Sequence, residues 1–219
     1  MKVFLFLLLT VWFNFSMRSD FIKALEKHQN AFDLQLNERQ IERLADYYEL
    51  VRKHNDLLHL VAPVAAEDFA VRHILESLTL LEFLPKRAKL ADVGAGAGLP
   101  SVPCLLARED LYGFLIESKI KKAKFLEEAL SALNLSSRAR ILNRQFEELE
   151  KPNAAFVTCR ALDKFVPKLP RILKWSRGGS LLLFGGNSLG AALEKQNVKF
   201  RQKLLPLSEQ RFLFYTRKI

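Results

Sequence analysis

Three glycines at alternate positions follow an acidic residue in Asp92-Val93-Gly94-Ala95-Gly96-Ala97-Gly98-Leu99-Pro100. The apolar residues before them read as a strand and those after them as the start of a helix, so the glycines occupy a strand-to-helix turn. Backbone without Cβ atoms can turn sharply there and approach a ligand closely, which makes Gly94, Gly96 and Gly98 a cradle for a nucleoside-bearing cofactor. A dinucleotide fingerprint, G-x-G-x-x-G, would carry its third glycine where Leu99 stands. The observed G-x-G-x-G behind an acid favours S-adenosylmethionine over NAD.

Further chemistry is spaced along the same half of the chain. Glu117 ends the next apolar run, about twenty residues beyond the glycines, where an acid meets ribose hydroxyls. Its two oxygens can accept from both hydroxyls. Phe146 and Glu147, after a third run, offer an apolar face and a polar edge that suit an adenine, and a plain amphipathic helix start explains the pair about as well. Arg160 follows a fourth run, at the carboxyl edge where open α/β sheets bind ligands. A charge there is exposed to the crevice and suits a carboxylate or phosphate of a ligand, with a structural salt bridge as the other reading. Asp92, acidic inside a strand, is expected to hydrogen-bond the glycine turn or the donor's amino group.

The elements that must position these residues come from hydrophobic period. From Asp20 to Pro85 the spacing is helical: Phe21, Leu25 and His28, then Ile41, Leu44, Tyr48 and Val51. Asn37 with Gln40 three residues on forms a capping box opening one helix, and Pro63 interrupts the pattern before it resumes at Glu67. Beyond residue 88 short apolar runs alternate with helical stretches, predicting strands at 90–94, 113–117, 139–142, 154–159 and 180–184. Such alternation means βαβ units and a mostly parallel, doubly covered sheet. Runs at 200–206 and 211–216 lack a helix between them and predict a closing hairpin. The chain thus divides into an apolar extension at 1–18, a helical cap at 19–87 and a Rossmann-like α/β domain at 88–219.

Composition narrows the partners. In 219 residues, 34 Lys and Arg against 24 Asp and Glu leave a net charge of +10, which suits a polyanionic partner. Cys104 and Cys159 form no C-x-x-C pair and read as buried thiols; with no H-E-x-x-H among the four histidines, no metal is expected. The apolar stretch from Val3 to Phe13 is too short to span a bilayer, which takes ~20 residues. Three readings of it remain: sequence upstream of a true start at Met17, a signal or anchor segment, or a packed helix.

The run from Asp92 to Pro100 resembles motif I of class I methyltransferases, a fold with a seven-stranded, mostly parallel sheet and an antiparallel last strand. A narrower resemblance covers nearly everything from Asp20 onward. Val71-Arg72-His73-Ile74-Leu75-Glu76-Ser77-Leu78, the glycine run, Lys122-Ala123-Lys124-Phe125-Leu126, Cys159-Arg160-Ala161 and Gly185-Gly186 occur in the order and spacing of the bacterial small-subunit ribosomal RNA guanine-N7 methyltransferases, the glucose-inhibited division B family. The resemblance implies methylation of guanine N7 in the 530 loop of 16S RNA by a cytoplasmic monomer without stable membrane association. It places Gly94, Leu99, Phe146, Glu147 and Arg160 at the donor. The chain departs from the family pattern at Glu76 (usually Asp), Val61 (usually Thr), Ser101 (usually Gly) and Phe184 (usually Lys), all but Ser101 on the side expected to meet RNA.

Guanine N7 has a lone pair and no proton, so its methylation requires no general base. Holding the reactants in line supplies most of the acceleration. His73 and Ser77, with Arg160, are the expected positioning residues. The basic residues Arg72, Lys119, Lys121, Lys122, Lys124, Arg138, Arg140 and Arg144 are expected to contact 16S RNA or the small subunit. Two other classes stay open: an RNA-binding protein without catalysis on the same fold, and an NAD-dependent oxidoreductase, which Leu99 disfavours.

Overall fold

A computed structural model describes residues 17–217. The apolar stretch from Val3 to Phe13 lies outside the described residues, and no described helix is long and apolar enough to cross a membrane.

The cap is built on three helical stretches: α1 (17–28), α2 (Glu38–Leu58) and α3 (66–83). α2 begins where its sequence says it should. Asn37 Oδ1 accepts from the Gln40 backbone N–H at 2.9 Å while Gln40 Oε1 accepts from the Asn37 N–H at 2.8 Å, satisfying two otherwise orphaned donors. It ends at His59, which adopts φ +47°. Within α3 the stretch Phe69–Leu75 widens into π-helix, a rare geometry that is frequent at functional sites where it occurs. The helical period places Phe21, Tyr48 and Phe69 on facing surfaces, and their rings meet at 4.5–6.1 Å.

The sheet follows the alternation of the sequence. β1 (Lys89–Val93), β2 (Tyr112–Ile116), β3 (Ala139–Leu142), β4 (Phe156–Arg160) and β5 (Ser180–Gly185) are parallel. β6 (Arg201–Leu204) and β7 (Phe212–Tyr215) form the expected hairpin, and β7 runs antiparallel to β5. The spatial order is β3-β2-β1-β4-β5-β7-β6. Most strand ends lie within a residue of expectation; β4 starts two residues late because the Ala154 N–H is turned back to the Pro152 carbonyl.

Neighbouring residues on each strand serve opposite faces. Leu90, Leu182 and Leu213 pack with the cap, α4 (Ser101–Ala107) and α5 (Ile120–Ala132). Ala91, Leu183 and Phe214 pack under α6 (Phe165–Trp175) and α7 (Asn187–Lys195). The cap shares one continuous core with its face of the sheet. Arg43 and Gln40 of α2 strengthen that union by donating to the Leu106, Leu133 and Ala107 carbonyls, which close α4 and α5. The order in which successive strands are added reverses between the parallel neighbours β1 and β4, and ligand crevices of open α/β sheets form at the carboxyl end of such a switch point.

Candidate functional site

A crevice of about 690 Å³ opens at that switch point between sheet and cap. Its floor is the glycine turn, with Gly94, Ala95, Gly96, Ala97 and Leu99 on the surface. The Gly94 and Ala95 N–H groups both donate to the Ile116 carbonyl, at 2.9 and 3.0 Å, which draws the turn against the end of β2. Tyr47, fully buried in α2, donates to the Ala97 carbonyl at 2.8 Å and pins the turn from the cap side.

The three glycines do different things. All have positive φ, at +73°, +56° and +94°. A Cβ on Gly96 would meet only the Gly94 carbonyl at 3.7 Å, so the volume a side chain would fill lies open to the crevice. At Gly94 that volume holds Leu162 Cδ1, at 2.4 Å. At Gly98 it holds Val102 Cγ2, at 2.5 Å, with Leu126 beyond. Gly98 lies outside the crevice lining; it lets α4 and α5 pack against the turn, and the expectation that it meets the cofactor is corrected accordingly.

Glu117 faces the turn. One carboxylate oxygen accepts from the Gly96 N–H at 3.0 Å and the other from the Lys119 N–H at 2.7 Å, so both point along the crevice wall. A narrow slot of about 40 Å³ continues past Gly94, Ser118 and Leu162 to Phe146 and Glu147. Phe146 is buried against Trp175, and Glu147 pairs with Arg171 at 3.3 Å. Leu162 and Lys168 border both crevice and slot.

Asp92 does not reach the crevice lining. It is fully buried, with one oxygen accepting from the Ser101 N–H at 3.3 Å and the other, like the Ser101 hydroxyl, without a partner. The acid therefore tethers the start of α4, which corrects the expected bond to the glycine turn. Burial pushes its carboxyl pKa up to about 7.

The cap side of the crevice contains a buried ion cluster. Glu76, with no exposed surface, accepts from Arg160 at 2.9 Å and from Arg211 at 2.7 Å. Arg160 also donates to the Arg72 carbonyl and, at 3.3 Å, to Ser77 Oγ, and it lies over the Phe184 ring at 5.1 Å. Its side chain is 13% exposed. Arg160 borders the crevice, but its guanidinium is engaged by the protein, as the salt-bridge reading of the sequence has it. Two departures from the family pattern, Glu76 and Phe184, thus meet on this one side chain. Ser77 is fully buried, donates to the His73 carbonyl and lies outside the crevice lining, against the expectation that it positions the acceptor.

His73 does line the crevice. Burial, reinforced by Arg160, Arg72 and Arg211, lowers its pKa to about 3, and its Nδ1 is buried without a partner. The ring is a neutral imidazole.

The expected RNA residues separate. Lys119 borders the crevice; Lys122 does too, but donates to the His59 carbonyl at 3.1 Å, tying α5 to the end of α2. Lys121, Lys124, Arg72 and Arg140 are exposed outside it, and Arg144 flanks the slot. Arg138 is corrected: at the opposite, amino edge of the sheet it donates to the Leu105, Arg108 and Leu111 carbonyls at 2.9–3.3 Å and fastens the loop before β2. Sequence reasoning put Val61 on the RNA side but missed the rest of the loop from His59 to Pro63, as well as Leu162, Lys168 and Arg211. Only Lys168 left a signal, since it lies in an acid-free basic stretch; the others are single residues without periodicity.

Residues 40–211 match the family model described as rRNA small subunit methyltransferase G. The chain is 33% identical over 150 residues to the ribosomal RNA small subunit methyltransferase G of Desulfotalea psychrophila, covering 67% of this chain and 69% of that protein. For the protein of the same name from Neisseria meningitidis serogroup C the identity is 32% over 156 residues, covering 71% and 72%. A solved ribosomal protein L11 methylase from Lactobacillus delbrueckii subsp. bulgaricus has a similar fold, with TM-score 0.54 at 16% identity over 68% of this chain and 79% of that one. That likeness speaks to the fold alone.

Proposed function

Because this chain belongs to the rRNA small subunit methyltransferase G family, we propose that it transfers the methyl group of S-adenosylmethionine to N7 of a guanine in the 530 loop of 16S ribosomal RNA. The observation that carries the reading is the open volume at Gly96 beside the Glu117 carboxylate, a cradle that fits a nucleoside. Gly94, Gly96, Leu99 and Glu117 would hold the donor's ribose and methionine portions, and the slot at Phe146 and Glu147 its adenine. The bound donor supplies a sulfonium methyl already activated toward nucleophiles.

The chain's own residues position and exclude. N7 attacks with its lone pair, so no side chain need remove a proton. N7 methylation leaves the guanine ring cationic, and a bare positive charge against it would oppose the reaction. His73, kept neutral, can donate one hydrogen bond to an uncharged acceptor such as guanine O6 without adding charge. The Glu76 carboxylate offsets the nearby Arg160 guanidinium. Orientation in a walled crevice then provides the acceleration.

The test is to map 7-methylguanine in 16S RNA from cells with and without this protein, then add the purified chain and labelled S-adenosylmethionine to the undermethylated RNA or small subunits. One guanine should lose its methyl group in the deficient cells and regain it in vitro. Identical methylation maps, or label appearing at a different base, would overturn the assignment.

A further inference from the structure

Of the basic residues that the sequence pointed to, Lys121, Lys122 and Lys124 lie on α5, where the charge is diluted. Glu127 and Glu128 share that helix, Glu128 pairs with His54 and Lys53, and Lys122 is tied to the His59 carbonyl. α6 differs. Between Asp163 and Glu194 the chain contains no acidic residue, yet Lys164, Lys168, Arg171, Lys174 and Arg177 fall within that stretch. Leu169 and Ile172 bury the inner side of α6 against the sheet. Lys164, Arg171, Lys174 and Arg177 are exposed.

Resting on the reading of this chain as an RNA methyltransferase, we infer that the outer side of α6 carries the ribose-phosphate backbone of the RNA flanking the target base. The path starts at the site: Lys168 borders both crevice and slot, and Arg171 stands beside Glu147. Lys168, Arg171 and Lys174 recur every three residues along α6, about one per turn and roughly 5 Å apart along the axis, and Lys164 and Arg177 flank its two ends. Long, flexible side chains at that interval can each reach a phosphate of a strand laid along the helix. Glu147 is the one acid with an ion pair to these five cations among the described residues, so the remaining charges face solvent uncompensated by such a pair. An anionic membrane would ask in addition for a broad apolar face, whereas the exposed apolar side chains of this helix are Val166, Pro167 and Pro170. Charge with so little apolar area favours a polyanionic strand.

The experiment compares the full chain with the triple variant Lys164→Gln, Lys174→Gln, Arg177→Gln, which leaves Lys168 and Arg171 in place. The probe is a 16S fragment containing the 530 loop, and affinity is measured across a salt series. Loss of three phosphate contacts should weaken binding roughly tenfold to a hundredfold at ~0.1 M salt and flatten the log-log salt slope by about 2. A thermal melt matching the parent excludes misfolding. On α5, Lys121→Gln with Lys124→Gln should move the slope less. Unchanged RNA affinity and slope in the α6 variant, while the parent still methylates the fragment, would overturn the α6 surface and leave the proposed function standing. A parent that neither binds nor methylates the fragment would sink both. Loss of binding to vesicles of phosphatidylcholine and phosphatidylserine, with RNA affinity intact, would reassign the surface to lipid and equally overturn the inference.

Discussion

The floor of the crevice is backbone, held by bonds between neighbouring strand ends, whereas the cap wall is made of side chains gathered from distant segments. Gly96 and Glu117, which define the floor, are 21 residues apart. On the cap wall Arg160 meets Glu76 across 84 residues and Arg211 meets it across 135. The floor keeps open volume at Gly96, ready for a ligand. On the cap side the charges satisfy one another, the Glu76 carboxylate being shared between two guanidinium groups. Leaving volume open and tying cap to sheet are thus divided between different sides of one cavity.

The division breaks most visibly at the glycines. Gly96→Val should abolish binding of S-adenosylmethionine by filling the open volume, at a backbone cost of about 1–3 kcal/mol. Gly98→Val, whose side chain would enter Val102, should instead lower the melting temperature sharply as its main effect. Titration calorimetry beside thermal melts separates the two, and unchanged donor affinity in Gly96→Val would move the donor away from the floor.

On the other wall, Glu76→Ala leaves Arg160 without its buried partner and should cost about 3–5 kcal/mol in urea unfolding. A loss under about 1 kcal/mol would show that the ion cluster does not hold the cap to the sheet.

A subtler contrast lies in pH. His73, lowered from 6.5 to about 3, stays neutral in the folded chain while the unfolded chain takes up a proton, so its contribution is complete above pH 6.5 and lost as pH falls toward 3. Asp92, raised from 3.8 to about 7, keeps a proton that the unfolded chain releases, so its contribution is complete below 3.8 and lost as pH rises toward 7. The two slopes oppose each other in the native protein. His73→Phe should therefore make stability fall with rising pH between about 4 and 7, and Asp92→Asn should make it fall with acidification over 6.5 to 3. Parallel melting-temperature profiles for the two variants would contradict this assignment of charge.

Local elements were legible because their information is local. The capping box at Asn37 and Gln40, the strand alternation, the closing hairpin and the glycine turn each lie within a few residues of contiguous sequence, and hydrogen-bond geometry leaves such segments few alternatives. Glu117 was legible for a related reason: in a βαβ unit the end of the next strand falls beside the first turn. The roles of Gly98, Asp92, Ser77 and Arg138 were misread because residue type and chain position are compatible with either a ligand or the protein itself as partner, and packing chose the protein.

By itself the sequence determined the sheet, its order of elements, the turn that opens the crevice and the acid beside it, since periodicity and backbone freedom are properties of neighbouring residues. Tertiary structure alone decided that Arg160 is held by Glu76, that Arg211 joins them, and that His73 is neutral. Each depends on which distant groups share a low-dielectric interior, and the energy of a charge or hydrogen bond there is set by those neighbours and by the absence of water.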